Sequence, residues 1–326
     1  MAKNYRLERA SLDLKWDEFM RSSPDSTVFS LSSYLGNAGA RLGLFYCFNA
    51  DESRATVVLS ESEDGSSAVL DDLIIYSGIS YGKPLHRQSR AQQISERYEI
   101  ALFIAEELAE HYEHIEFALS PSIGDIRPFL WYRYGEESGC YQVNTRYTSY
   151  LPIADFAAAT SLEDIEAYRE ASVSRRQQIR YAKRDMVVTE EFSNVDLFID
   201  FYRQTMTRQK EEPALAKLDR MSGLVEGVLR ADQAKMFVSK TEEGIVGSVA
   251  VYAYDQHRAY YLFGASDPAL RNSPLGTAVL WNAFYHLAVM GLPEIDLEGV
   301  NSPKRGWFKL SFGGELKPYY QICKHE

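Results

Sequence analysis

The sequence is poor in cysteine, has no long apolar run and carries no excess of positive charge. Each scarcity excludes a class of protein. Three cysteines, Cys47, Cys140 and Cys323, are scattered over 326 residues. An odd number without regular spacing gives no disulfide framework and reads as reduced thiols of a cytosolic protein. Residues 275–292 form the stretch richest in apolar side chains, but Asn282 and His286 interrupt it. It is too short and too polar to span a bilayer and reads as a buried helix. The first sixteen residues lack the apolar segment of a signal peptide. The expectation is a cytoplasmic protein without a transmembrane segment, with a peripheral place at a membrane surface left open. The formal charge of −11 excludes a protein that coats DNA or RNA through general phosphate neutralisation, though not a local basic site.

Catalytic signatures are scarce as well. There is no Gly-x-Ser-x-Gly elbow, no phosphate loop of the Walker type and no cysteine-centred motif. A covalent acyl-enzyme is therefore not expected. His111 and His114 lie three apart near a helix end, but no third ligand stands close in sequence. They read as helix-end histidines, and no metal site is expected, since zinc needs three or four ligands.

What is present is an ordinary globular composition of 45% hydrophobic and 25% charged residues, enough for a sizeable core. The length suits two domains. Alternating runs at 44–48, 55–59 and 68–75 predict strands. Apolar positions Ile94, Tyr98, Ala101, Ala105, Leu108 and Tyr112 alternate in steps of four and three, which predicts a helix over 94–112. A strand at 115–119 and a helical segment at 126–132 follow. The order returns later, with strands at 235–239, 247–254 and 259–265, a helix at 275–290, a strand at 294–298 and a helical segment at 304–312. Helical regions at 162–184 and 195–210 lie between. An offset of about 180 residues places Ile115, Glu116 and Phe117 on Ile295, Asp296 and Leu297. We read this as a duplication with domains at 1–155 and 156–326, against the alternative of two unrelated α/β stretches.

The halves differ where chemistry would sit. Before the helix at 275, the second half has Arg271, Asn272, Ser273, Pro274, Leu275 and Gly276. A helix N-terminus there, with Arg271 beside it, suits a phosphate or carboxylate. The second half also has Phe308 and Lys309 where the first has Phe129 and Leu130. Arg176, Arg180, Lys183 and Arg184 recur at spacings that form one cationic stripe on a helix. They could meet a phosphate-bearing partner or be paired to Glu163, Glu166 and Glu170.

The order of strands, loop, helix, strand and helix resembles the GNAT acyltransferase fold. The segment 271–276 is similar to that superfamily's pyrophosphate loop, with Arg271 at its first and Gly276 at its last position. Pro274 replaces the middle glycine and removes an N–H donor. Three segments, 125–131, 174–183 and 307–316, resemble the FemAB/FemX-like group, which carries two GNAT-like halves. The resemblance implies an α/β fold with mixed sheets, in two tandem GNAT-like domains of which the first is degenerate. It implies transfer of an acyl or aminoacyl group to an amine by direct attack, in building cell-envelope peptidoglycan or polysaccharide. Lys309 would stabilise the oxyanion and Phe308 would pack the site. Arg271, Ser273 and Gly276 would hold an anionic donor, and Arg176, Arg180 and Lys183 a phosphate-bearing partner. Asp296 and Glu298, two apart on one strand, are candidates to take the amine proton. No tightly bound cofactor is implied. The donor would be aminoacyl-tRNA or acyl-CoA, so tRNA is a candidate partner. An acetyl-CoA-dependent enzyme acting on a small molecule or sugar nucleotide, and a non-catalytic scaffold of the same fold, are the other readings.

Overall fold

The computed structural model describes residues 5–84, 88–208, 212–270 and 272–325. The chain forms two compact units. One comprises the residues up to Arg146 together with those from Pro318 onward, and the other comprises Tyr147–Lys317. The expected division at 155/156 thus moves to 146/147, and the C-terminal residues join the first unit. Strand pairing is the cause. Residues 150–152 pair with 294–296, whereas residues 321–324 pair with 115–118.

Unit 1 begins with β1 (Tyr5–Arg9), α1 (Leu14–Ser22) and α2 (Ser32–Leu35). The Asp13 side chain caps α1 by accepting from the Trp16 amide at 2.9 Å. An antiparallel meander follows: β2 (Arg41–Asn49), β3 (Glu52–Glu61), β4 (Ser67–Val69) and β5 (Gly78–Tyr81), the last also pairing with β3. The strand expected over 68–75 ends early. Asp71 accepts from the Leu73 amide at 2.8 Å, a local turn that competes with the ladder. Helix α3 (Arg90–His111) starts with a capping box of Ser89 and Gln92. It returns the chain to β6 (His114–Ala118), which lies parallel to β4. The short α4 (Arg127–Leu130) comes next.

Unit 2 repeats this plan. After β7 (Gln142–Pro152), the helical region expected at 162–184 is broken into α5 (Glu166–Glu170) and α6 (Val173–Arg184). The break has a local cause. The Ser172 hydroxyl accepts from the Arg175 amide and starts α6, while the Ser172 amide donates to the Ser311 carbonyl. Next come β8 (Val188–Glu191), α7 (Val195–Arg208) and α8 (Leu215–Arg230). A meander of β9 (Ala234–Lys240), β10 (Val246–Tyr254) and β11 (Ala259–Ser266) leads to α9 (Leu275–Val289) and to β12 (Glu294–Asp296), parallel to β11. Then come α10 (Pro303–Leu310) and β13 (Glu315–Lys324).

In both units a meander is followed by a helix and a strand parallel to one of its members, β6 to β4 in unit 1 and β12 to β11 in unit 2. The antiparallel partner of that parallel strand is exchanged. The strand after α4, β7, pairs with β12, and the strand after α10, β13, pairs with β6. Each unit has its own core. Ile104, Leu108, Phe117 and Ile322 contribute to the first, and Phe156, Trp281, Phe284, Ile295 and Phe312 to the second. A fully buried aromatic such as Phe284 contributes roughly 1.5–3 kcal/mol through its apolar surface. Among the described residues no helix is long and apolar enough to cross a membrane.

Candidate active site

The site is built from the end of β12, the loop after it and α10. Asp296 closes β12 and is fully buried. Its Oδ1 accepts from the Thr148 hydroxyl of β7 and from the Glu298 amide at 2.8 Å. That second bond turns the chain out of the strand. Glu298 and Gly299 then adopt left-handed backbone, with φ of 48° and 44°. The sequence reading placed Asp296 and Glu298 on one face of a strand running to 298. The strand ends at Asp296, because the Asp296 carboxylate takes the amide that the ladder would have used. The two carboxyls stay electrostatically linked all the same. A left-handed conformation at a non-glycine residue is costly and concentrates at functional sites.

Helix α10 delivers Lys309 to this turn. Its ammonium donates to the Glu298 carbonyl at 2.9 Å and lies 4.9 Å from the centre of the Tyr261 ring. The approach depends on Gly306, where a Cβ would meet the Val300 carbonyl oxygen at 2.5 Å. Burial draws the Lys309 ammonium down to about 8, against the opposing pull of Glu298 and Asp296. Burial and the Asp296 charge push the Glu298 carboxyl well above the ordinary carboxylate range, with Lys309 opposing. Glu298 is buried, and its Oε1 has no hydrogen-bond partner among the described residues. The lysine is bound to the Glu298 backbone, so the carboxyl oxygen is left for another use. A preplaced cation beside an unengaged carboxyl can stabilise an oxyanion and move a proton.

Beside this group, Phe308 packs against a residue of α6 to which sequence reasoning assigned no role. Arg175 of α6 lies 4.4 Å from the Phe308 ring centre and 4.5 Å from that of Phe312. Its Nε donates to Ser311 Oγ at 2.9 Å, and its Nη1 donates to Thr277 Oγ1 in the first turn of α9. Burial lowers its pKa to about 10, which still leaves it charged at neutral pH. Arg175 ties α6, α9 and α10 together and packs on the Phe308 and Phe312 rings. Thr148, Tyr261 and Gly306 also escaped the sequence reading. A glycine inside a helix, costing roughly 1 kcal/mol against alanine, was the one available signal.

The other expected residues fall into two groups. Arg271 lies outside the described residues. Ser273 directs its hydroxyl to the Leu270 carbonyl at 2.5 Å, and α9 begins directly after Pro274. The Leu275 and Gly276 N–H groups lie before the helical ladder, and Leu275 is buried. Farther along α6, Arg176 and Arg180 line an open cleft of about 280 Å³ with Arg169, Glu163, Tyr168 and Val173. Arg180 donates to the Tyr168 hydroxyl at 2.8 Å and Arg176 to the Arg169 carbonyl at 3.3 Å. No carboxylate lies within ion-pair distance of these arginines among the described residues. Lys183 is exposed and does not line the cleft, and Arg184 is neutralised by its neighbour Asp185 at 2.7 Å.

Residues 170–305 match the family described as an acetyltransferase (GNAT) domain. No curated protein sequence matches the chain. Among solved structures, FemX is similar over 97% of this chain and 96% of its own, with 13% identity and a TM-score of 0.64. A conserved protein of unknown function from Bacteroides thetaiotaomicron covers 98% of this chain and 100% of its own, at 9% identity and a TM-score of 0.61. A tandem GNAT protein from the clavulanic acid biosynthesis pathway covers 98% of each, at 9% identity and a TM-score of 0.53. Residues 170–305 thus match a GNAT acetyltransferase domain, and the chain along its length has the fold of FemX and of the tandem GNAT protein.

Proposed function

We propose that the protein transfers an aminoacyl or acyl group to an amine by direct nucleophilic attack, in the manner of FemAB-like enzymes that build the cell envelope. The observation that carries this is the Lys309 ammonium, held at 2.9 Å by the Glu298 carbonyl and beside a buried carboxyl with an unengaged oxygen. The acceptor amine attacks the carbonyl carbon of an ester or thioester. The C–N bond forms, and the carbonyl oxygen becomes an anion stabilised by Lys309. Glu298 takes a proton from the amine, helped by its raised affinity for it. As the tetrahedral intermediate collapses, the C–O or C–S bond breaks and the leaving group takes the proton that Glu298 had received, which restores the carboxylate. Asp296, already accepting from Thr148 and from the Glu298 amide, holds the turn in place. Arg176 and Arg180 bind a phosphate-bearing substrate in the cleft on α6.

Aminoacyl-tRNA and acyl-CoA both fit as donors in this scheme. The N-terminus of a fifteen-residue helix at Leu275 and Gly276 favours a phosphate-bearing thioester. Pro274 removes one donor from that loop and favours the tRNA ester instead. The decisive assay offers each donor with an amine acceptor. The Lys309→Met variant is expected to lose about 10²–10³ of kcat, the effect of removing one oxyanion-stabilising group. In the wild type, kcat is expected to fall as pH rises through about 8, where Lys309 loses its charge. Turnover unchanged in Lys309→Met would sink this mechanism.

A further inference from the structure

Glu116 of β6 pairs across the sheet with Cys323 of β13. The sequence offset makes Glu116 the first unit's counterpart of Asp296. In place of the buried carboxylate and hydroxyl of unit 2, this position carries a set of metal-ligating side chains. Ligand atoms of Glu116, Cys323 and His325 all lie within 4.8 Å of one another, and His325 Nε2 is 3.6 Å from Glu116 Oε1. His114 stands two residues before Glu116 and His325 two after Cys323. Strand alternation puts His114 and Glu116 on one face of β6, and His325, directly after β13, reaches the same group by its contacts with Glu116 and Cys323. The His114 and His325 ring centres are 5.9 Å apart. Cys323 is buried, while both histidines are exposed and free to swing inward.

We propose that His114, Glu116, Cys323 and His325 form a binding site for a divalent transition ion of the zinc class. Two imidazoles, a carboxylate and a thiolate are the donor mix that zinc takes in tetrahedral geometry. In such a site neighbouring donor atoms lie roughly 3.4–3.8 Å apart, a spacing the Glu116–His325 contact already has. Closing the shell needs rotation of the exposed histidines rather than backbone movement. Binding converts the Cys323 thiol to a thiolate and releases its proton to solvent, with no change of oxidation state. Asn144 donates to Cys323 Sγ at 3.6 Å and continues to do so in the thiolate form. Two ligands come from β6, one from β13 and one from the residue that follows it, segments separated by about two hundred residues, so the ion would clip β13 to the sheet of unit 1.

The test uses the full chain, stripped with a chelator and titrated with cobalt(II) and zinc(II). One equivalent of cobalt is expected to give tetrahedral visible absorption and a thiolate-to-cobalt charge-transfer band. Zinc is expected to displace the cobalt and to raise the unfolding temperature. Cys323→Ser should remove the charge-transfer band, and Cys140→Ser should leave it intact. Because Cys323 is buried and its replacement could perturb folding, the exposed pair provides the second arm. His114→Ala and His325→Ala should each weaken zinc binding at least tenfold, with circular dichroism unchanged. Absence of a charge-transfer band in the wild type overturns the proposal, as does zinc affinity unchanged in the double histidine variant.

Discussion

Lys309 and Glu298 are displaced from their ordinary ionisation in opposite senses by burial, and this couples stability to pH in a way that can be signed. The Glu298 carboxyl is held above its unfolded value. Between those two values the native state keeps a proton that the unfolded chain has lost, so this contribution falls as pH rises through the window. Lys309 releases its proton near 8 in the native state, whereas an unfolded lysine keeps it to about 10.4. Its contribution therefore rises with pH across that higher interval. Glu298→Gln is expected to stabilise the protein at pH 8, change it little at pH 5 and abolish most turnover. Thermal unfolding at the two pH values checks the sign, and equal shifts at both would rule out a raised carboxyl. A carboxyl buried in this way costs stability.

Helix α10 shows how much of the site depends on one close approach. Gly306 lies against the Val300 carbonyl, and the same helix carries Lys309 to the Glu298 carbonyl one turn later. Gly306→Ala improves helix propensity by roughly 1 kcal/mol yet must push the 298–301 loop away from α10. We expect little net change in stability and a fall in kcat of about 10²-fold, the scale of a misplaced catalytic group. Denaturant unfolding beside steady-state kinetics separates the two effects. The helices and strands that frame this site were legible in the sequence because their periodicity is strong. Residues 94–112 and 275–290 match α3 and α9 to within a few positions at their ends. The pair of Phe308 and Lys309 was singled out through its resemblance, and the structure sets the Lys309 ammonium on the Glu298 carbonyl. The roles of Arg175, Thr148 and Tyr261 were not, because they are set by contacts over long sequence separations, such as Thr148 with Asp296. The short strand and its left-handed turn were also hidden, since a side-chain hydrogen bond overrides the alternation of Glu294, Asp296 and Glu298. Arg176 and Arg180 proved separable from Lys183 only once α5 had been seen to fold against one side of α6.

The duplicated plan of the molecule was legible from the offset of about 180 residues, but its exchange of strands was not. Local pattern identifies a strand without naming its partner. Nothing in residues 315–324 reveals that Ile322 packs with Phe117 and Leu108 in the first core. This predicts that a chain ending after Lys317 keeps the elements of unit 2 but loses about 3 kcal/mol or more from unit 1, through loss of Ile322 and the β6 ladder. Hydrogen exchange should show amides of β6 losing protection while those of β10 keep theirs, and uniform protection in both would refute the assignment. The exchanged strand also bears on how the protein is made. A ribosome delivers domains from the N-terminus, and they usually fold in that order. Here residues 147–317 have all emerged before the part of β13 that pairs with β6, so the unit begun first is completed last. Its incomplete sheet must wait with the β6 edge unpaired through the synthesis of some 170 further residues. During that interval the nascent chain is exposed to mispairing, and the order of synthesis, rather than the final stability, would limit its yield.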